Sequence, residues 1–263
     1  MIFERTTRTT ARGRAFALLV GAALSLGQPL GCVWVEQSSG IELTLEVEHE
    51  AAESQALDGN PAGREFVTDA GMHVWLSYAY LTVSQVALVP CENSAHTLLS
   101  AWRGVAWAHG VTSATVMASP LVNGLERPDA QRESLGTLKP PPGAYCALNV
   151  RFEPADADAA KLPAEPNMVG QTLRMVGTWQ LPDQAVPQDL FVSTAQSAQV
   201  QLPLPDGALV LDDANSRPTV RLTLHYDQWL NTVAATQGDP DLLAMSILQA
   251  MQDSLTVTVA GGL

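Results

Sequence analysis

The sequence predicts a mainly β protein, an antiparallel β-sandwich or open barrel with one or two short helices near the C-terminus. Three observations carry that reading. The stretch "IELTLEVEH" alternates with a period of two. Seven strand-like runs follow one another, separated by clusters of Pro, Gly and Asp. Helical patterns are confined to the region after residue 226.

Each element has its own signature. In residues 41–49, Ile41, Leu43, Leu45, Val47 and His49 share one face, and Glu42, Thr44, Glu46 and Glu48 share the other. That is the pattern of a half-buried strand, and it turns His49 inward. "HVWLSYAYLTVSQVALV" (73–89) is a long run rich in β-branched and aromatic residues. "YCALNVRF" (145–152), "QTLRMVGTWQL" (171–181), "AQVQLPL" (198–204), "TVRLTLHY" (219–226) and "LTVTV" (255–259) complete the set. The better helix begins at "DPDLLAMSILQAMQDS", with Asp239 as N-cap and Pro240 in the first helical position. Its expected apolar face is Leu242, Met245, Ile247, Leu248 and Met251. A shorter helix is expected from Asp227 in "DQWLNTVAA". Residues 92–144 have weak periodicity and read as a long loop region, of the kind that is usually functional or disordered.

The ends divide the chain. Residues 1–31 read as a lipoprotein-type signal peptide: Arg5, Arg8, Arg12 and Arg14 precede the apolar "AFALLVGAALSL", which is short for a membrane span, and "PLGC" closes the segment. Cys32 is then the lipidated residue, although Pro29 stands where Leu is usual. Residues 32–40 form a tether and 41–263 a single β-rich domain. With Cys32 lipidated, two cysteines remain, and an exported location favours a disulfide between Cys91 and Cys146. The predicted location is the periplasm or the outer membrane and cell surface, with membrane contact through the lipid alone.

Charge narrows the partners. The chain carries a formal −13; residues 1–31 hold four Arg and one Glu, so the remainder carries −16. A chain this acidic lacks the basic face that nucleic acid requires. No catalytic pattern is present: there is no G-x-S-x-G, H-E-x-x-H, phosphate-binding loop, dinucleotide glycine pattern or C-x-x-C-H. The sequence therefore points to a binding protein and not to an enzyme. Asp156/Asp158 and Asp212/Asp213 do not meet calcium-loop spacing and read as solvated loop charge.

The histidines carry more information. Trp107-Ala108-His109 sets a tryptophan two residues before a histidine, inside the long loop region. His73 and Trp75 have the same spacing in reverse, and on a strand both project to one side. Trp229 lies four residues after His225. Imidazole suits copper and zinc, and three histidines from separate strands could build a site. Taken singly, each histidine is better read as an ordinary core or surface residue.

The segments "LTLEVEH", "VWLSYAYLTVSQVALV", "LGTLKPPPGAYCALNVRFEPADADA", "LRMVGTW" and "VRLTLHYDQWL" together resemble the MbnP-like family of methanobactin-associated periplasmic proteins, related to the copper-binding proteins MopE and CorA. The resemblance covers most of residues 41–259 as weak local similarities. It implies copper held by histidines, for storage or delivery. It also implies a tryptophan oxidised to kynurenine two residues before a ligand histidine, and a dihaem peroxidase-type partner that performs the oxidation. Carried over, Trp107 is the candidate for modification and His109 a ligand, with His49 and His225 next, His73 weaker and His96 weakest. The apparent disulfide and the lipoprotein-like signal depart from the family. The alternative is a surface lipoprotein whose β-sandwich binds a protein or glycan and no metal.

Overall fold

The computed structural model describes residues 40–52, 54–91, 113–231 and 239–261. It is a two-sheet β-sandwich. In chain order the strands are β1 (Leu43–Glu50), β2 (Gln55–Leu57), β3 (Asn60–Val67), β4 (His73–Pro90), β5 (Val116–Met117), β6 (Leu121–Gly124) and β7 (Glu133–Leu138). They continue as β8 (Gly143–Phe152), β9 (Leu173–Gln180), β10 (Gln188–Thr194), β11 (Ala198–Pro203), β12 (Leu209–Leu211), β13 (Thr219–His225) and β14 (Thr256–Ala260). One helix, α1 (Pro240–Ser254), packs beside them.

The smaller sheet has the order β14-β13-β1-β7. The larger is organised along β4, whose 18 residues serve two sets of neighbours. Its first part pairs with β3 on one side and β9 on the other. Its last part pairs with β8, and β6 and β5 continue the β3 side. A register shift between Leu76 and Tyr78 bends the strand in its first third. Gly177 accommodates the bend, since a Cβ there would lie 2.2 Å from the Trp75 carbonyl oxygen.

Alternation decides which face is buried. Leu43, Leu45, Val47 and His49 of β1 are fully buried, and Val220, Leu222 and Leu224 of the adjacent β13 join them. Val74, Leu76, Leu81 and Val86 of β4 complete the core from the opposite sheet. Each of the aliphatic side chains contributes roughly 1.5–3 kcal/mol of burial.

Three expectations need correction. The sheet is not wholly antiparallel: β1 and β13 run parallel, from Thr44↔Thr219 to Glu50↔His225. A segment expected to be loop holds β5, β6 and β7 within residues 116–138. The residues after His225 form consecutive turns through Asn231, with Trp229 N–H donating to the Tyr226 carbonyl at 3.3 Å. The single α-helix among the described residues is α1, capped as expected by Asp239, whose carboxylate accepts from Asp241 N and Leu242 N. Its buried face centres on Ala244, Ile247, Leu248 and Met251, which leaves Leu242 and Met245 exposed.

Candidate functional site

The predicted site residues fall into three groups. Cys32, His96, Trp107 and His109 lie outside the described residues. Cys91 and Cys146 form a disulfide, with Cα atoms 5.0 Å apart at the far end of β4. His49, His73 and His225 are described, and the fold keeps them apart.

His49 and His225 occupy neighbouring strands but opposite faces. His49 pairs with Leu224, whereas His225 pairs with Glu50, one residue on. Side chains alternate along a strand, so the shift of one residue turns His225 away from His49. His225 Nδ1 lies 3.5 Å from a Glu50 carboxylate oxygen, and its Nε2 hydrogen-bonds Thr256 Oγ1 at 3.0 Å. His73 stands on the outer face of the other sheet and stacks on Trp75, ring centroids 5.6 Å apart. Among the described residues, no group of three or more His, Cys, Asp or Glu has the spacing to hold a metal ion.

His49 belongs to a buried polar cluster. Its Nε2–H donates to the Arg127 carbonyl at 3.0 Å, and its own carbonyl accepts from Ala130 N–H at 3.0 Å. These two bonds fasten the β6–β7 connection to β1. A carbonyl can only accept, so the proton sits on Nε2 and leaves Nδ1 bare, buried and without a partner. Asp129, on the same connection, accepts from the Tyr226 hydroxyl at 2.9 Å and from Ser54 Oγ. The buried Arg64 guanidinium pairs with Asp129 at 3.5 Å and also donates to the Arg127 carbonyl. Tyr226 in turn packs edge-on against Phe66 and His49.

The electrostatics follow from burial. Desolvation lowers the His49 pKa to about 4, with the Arg127 and Arg64 charges acting in the same direction. The bond to the Arg127 carbonyl and the nearby Asp129 carboxylate oppose this without overcoming it. Burial pushes the Tyr226 hydroxyl upward, and Asp129 adds to the effect. His49 is therefore neutral at pH 7, and the cluster joins five segments: β1, the β1–β2 connection at Ser54, β3, the β6–β7 connection and the turn after β13.

Sequence reasoning did not find Arg64, Arg127, Asp129 or Tyr226. Within the cluster their partners are 63 to 97 positions away along the chain or are backbone carbonyls, which carry no side-chain signature. Beside the cluster, Ser54, Gln55, Glu65, Phe66, Val67 and His73 line an open groove of about 420 Å³. No helix among the described residues is long and apolar enough to cross a membrane. No protein-family model, curated protein or solved structure matches this chain.

Proposed function

We propose that this is an exported, lipid-anchored copper-binding protein whose metal is held by the segment between β4 and β5, not by the histidines of the sandwich. The observation that carries the reading is the Cys91–Cys146 disulfide. It fixes the start of that segment to β8, and Ser113, paired with Val116, closes its end against β4. A segment whose two ends are held on a rigid scaffold is a common setting for a binding site. The segment contains His96, Trp107 and His109. His96 thereby gains weight as a ligand over His49, whose one bonded nitrogen is committed to the Arg127 carbonyl. Imidazole nitrogens suit copper. Trp107 remains the candidate for oxidation to kynurenine by a dihaem partner.

Copper titration of the exported protein tests this directly. His96→Ala and His109→Ala should each reduce uptake, while His73→Ala and His225→Ala should leave it unchanged. Equal uptake by all four variants and the parent sinks the reading. Peptide mass spectrometry of protein from the native host should show the kynurenine mass at Trp107. A second reading, binding of a partner or glycan without metal, draws support from the open outer face of the larger sheet.

A further inference from the structure

The outer face of the larger sheet is divided in two. Around Tyr80 it is covered by the chain itself: Val122, Ala155, Ala159 and Met168 close over the ring in a small apolar cluster. Toward the start of β4 the face is more open, with His73 exposed and Trp75 and Tyr78 half-buried, and its composition changes.

Pairing defines what lies on the open part. One row across the strands reads Asp189, Thr178, Trp75, Glu65 and Gln55. The next reads Phe191, Val176 and Tyr78. On the other side of Trp75, His73 lies between Gln180 and Val67. Paired residues project from the same face. Phe191 is 59% exposed and Val67 41%, high values for apolar side chains on a sheet. His73 stacks on the Trp75 ring, and the small, exposed Ser77 follows two residues on along the strand. The groove of about 420 Å³ runs along the Glu65–His73 margin.

We propose that this open face binds a neutral polysaccharide, with Trp75 and Phe191 as the two stacking positions. The argument is complementarity. A sugar ring offers C–H faces and a rim of hydroxyl groups. Trp75 and Phe191 supply π surface for the first, while the carboxylates of Glu65 and Asp189 and the polar side chains of Thr178 and Gln55 accept from or donate to the second. A partner protein packing its own core against this face would bury both carboxylates unpaired, which is costly. The two carboxylates, on a chain of formal charge −13, also oppose phosphate, sulfate or uronate ligands. The site lies at the opposite end of β4 from Cys91 and is independent of any copper.

Affinity gel electrophoresis of the exported protein in EDTA is the test. The probes are soluble β-glucan, dextran, arabinoxylan and galactomannan, with alginate as the charged control. At least one neutral polymer should retard the protein and alginate should not. Trp75→Ala should weaken that binding about tenfold and Phe191→Ala about threefold. Because Phe191 is exposed, its variant keeps the test valid if Trp75→Ala fails to fold. Trp75→Phe should recover part of the loss. No retardation by any neutral polymer overturns the proposal. So does retardation that persists in both alanine variants, or retardation by alginate alone.

Discussion

The two ends of β4 are secured by different means. At its C-terminal end a covalent bond joins Cys91 to Cys146, and Cys91 N–H adds a hydrogen bond to the Ala144 carbonyl at 3.0 Å. At its N-terminal end, β3 leads into a buried network of His49, Arg64, Asp129 and Tyr226. A disulfide acts chiefly on the unfolded chain, by limiting its freedom, and its effect is indifferent to pH across the neutral range. A buried polar network acts on the folded state, and its strength depends on which groups are charged. The difference predicts that one end is sensitive to reductant and the other to acid.

The largest effect should come from the covalent end. The bridge closes a loop with a sequence separation of 55. Chain entropy gives about 4 kcal/mol for a loop of that size. Replacing both Cys91 and Cys146 by Ser should lower the unfolding free energy in urea by about that amount, equally at pH 7 and pH 5. A loss below about 1 kcal/mol would mean that the chain between Cys91 and Cys146 is constrained in the unfolded state by other means.

Acid should act at the other end. The folded pKa of His49 is lowered to about 4, below the ordinary 6.5. A depressed histidine pKa means that the unfolded chain takes up the proton first. Its contribution is fully present above about pH 6.5 and is lost as the pH falls toward 4. The window is about 2.5 units wide, worth about 3 kcal/mol. His49→Gln retains a donor for the Arg127 carbonyl but does not titrate. Between pH 7 and 4 the parent should lose about 3 kcal/mol more than this variant, because carboxylate titration is common to both. Parallel stability profiles would show that protonated His49 is accommodated by its neighbour Asp129, at 3.9 Å, despite the flanking Arg64 and Arg127.

The same contrast explains what could be read in advance. β1 and β13 were legible because one face of each is apolar at alternate positions. The helix was legible from Asp239-Pro240, a local capping signal. His49 was legible as inward-pointing because it extends the Leu43-Leu45-Val47 face. β3 was not, since "NPAGREFV" contains Pro and Gly and buries a charged Arg64 whose partner lies on a distant connection. β10 and β7 were missed because each carries only two buried apolar side chains among polar or glycine positions, and such strands depend on their neighbours for definition. The parallel pairing of β1 with β13 joins Thr44 to Thr219, and nothing local encodes it. The disulfide was legible because an expected export signal, the cysteine count and the strand-end positions of Cys91 and Cys146 pointed to one pairing. The polar cluster was not, because it is assembled from single residues on five segments.

The smallest expected effect sharpens the account of how that cluster works. Tyr226 is buried and donates its hydroxyl to Asp129, while Ser54 and Arg64 approach the same carboxylate. Tyr226→Phe removes one donor and leaves the ring in its contacts with Phe66 and His49. The carboxylate keeps its other partners, and its 24% exposure lets water replace the lost one. The cost should be about 1 kcal/mol, the ordinary worth of a hydrogen bond and less than that of an orphaned charge. Ser54→Ala should cost less still, because Ser54 is only partly buried. The double variant is the decisive measurement. If both donors serve one carboxylate, removing the two together should cost more than the sum of the separate losses, by about 0.5 kcal/mol or more. Strict additivity would mean that Arg64 alone satisfies Asp129 and that the tyrosine is retained for its ring.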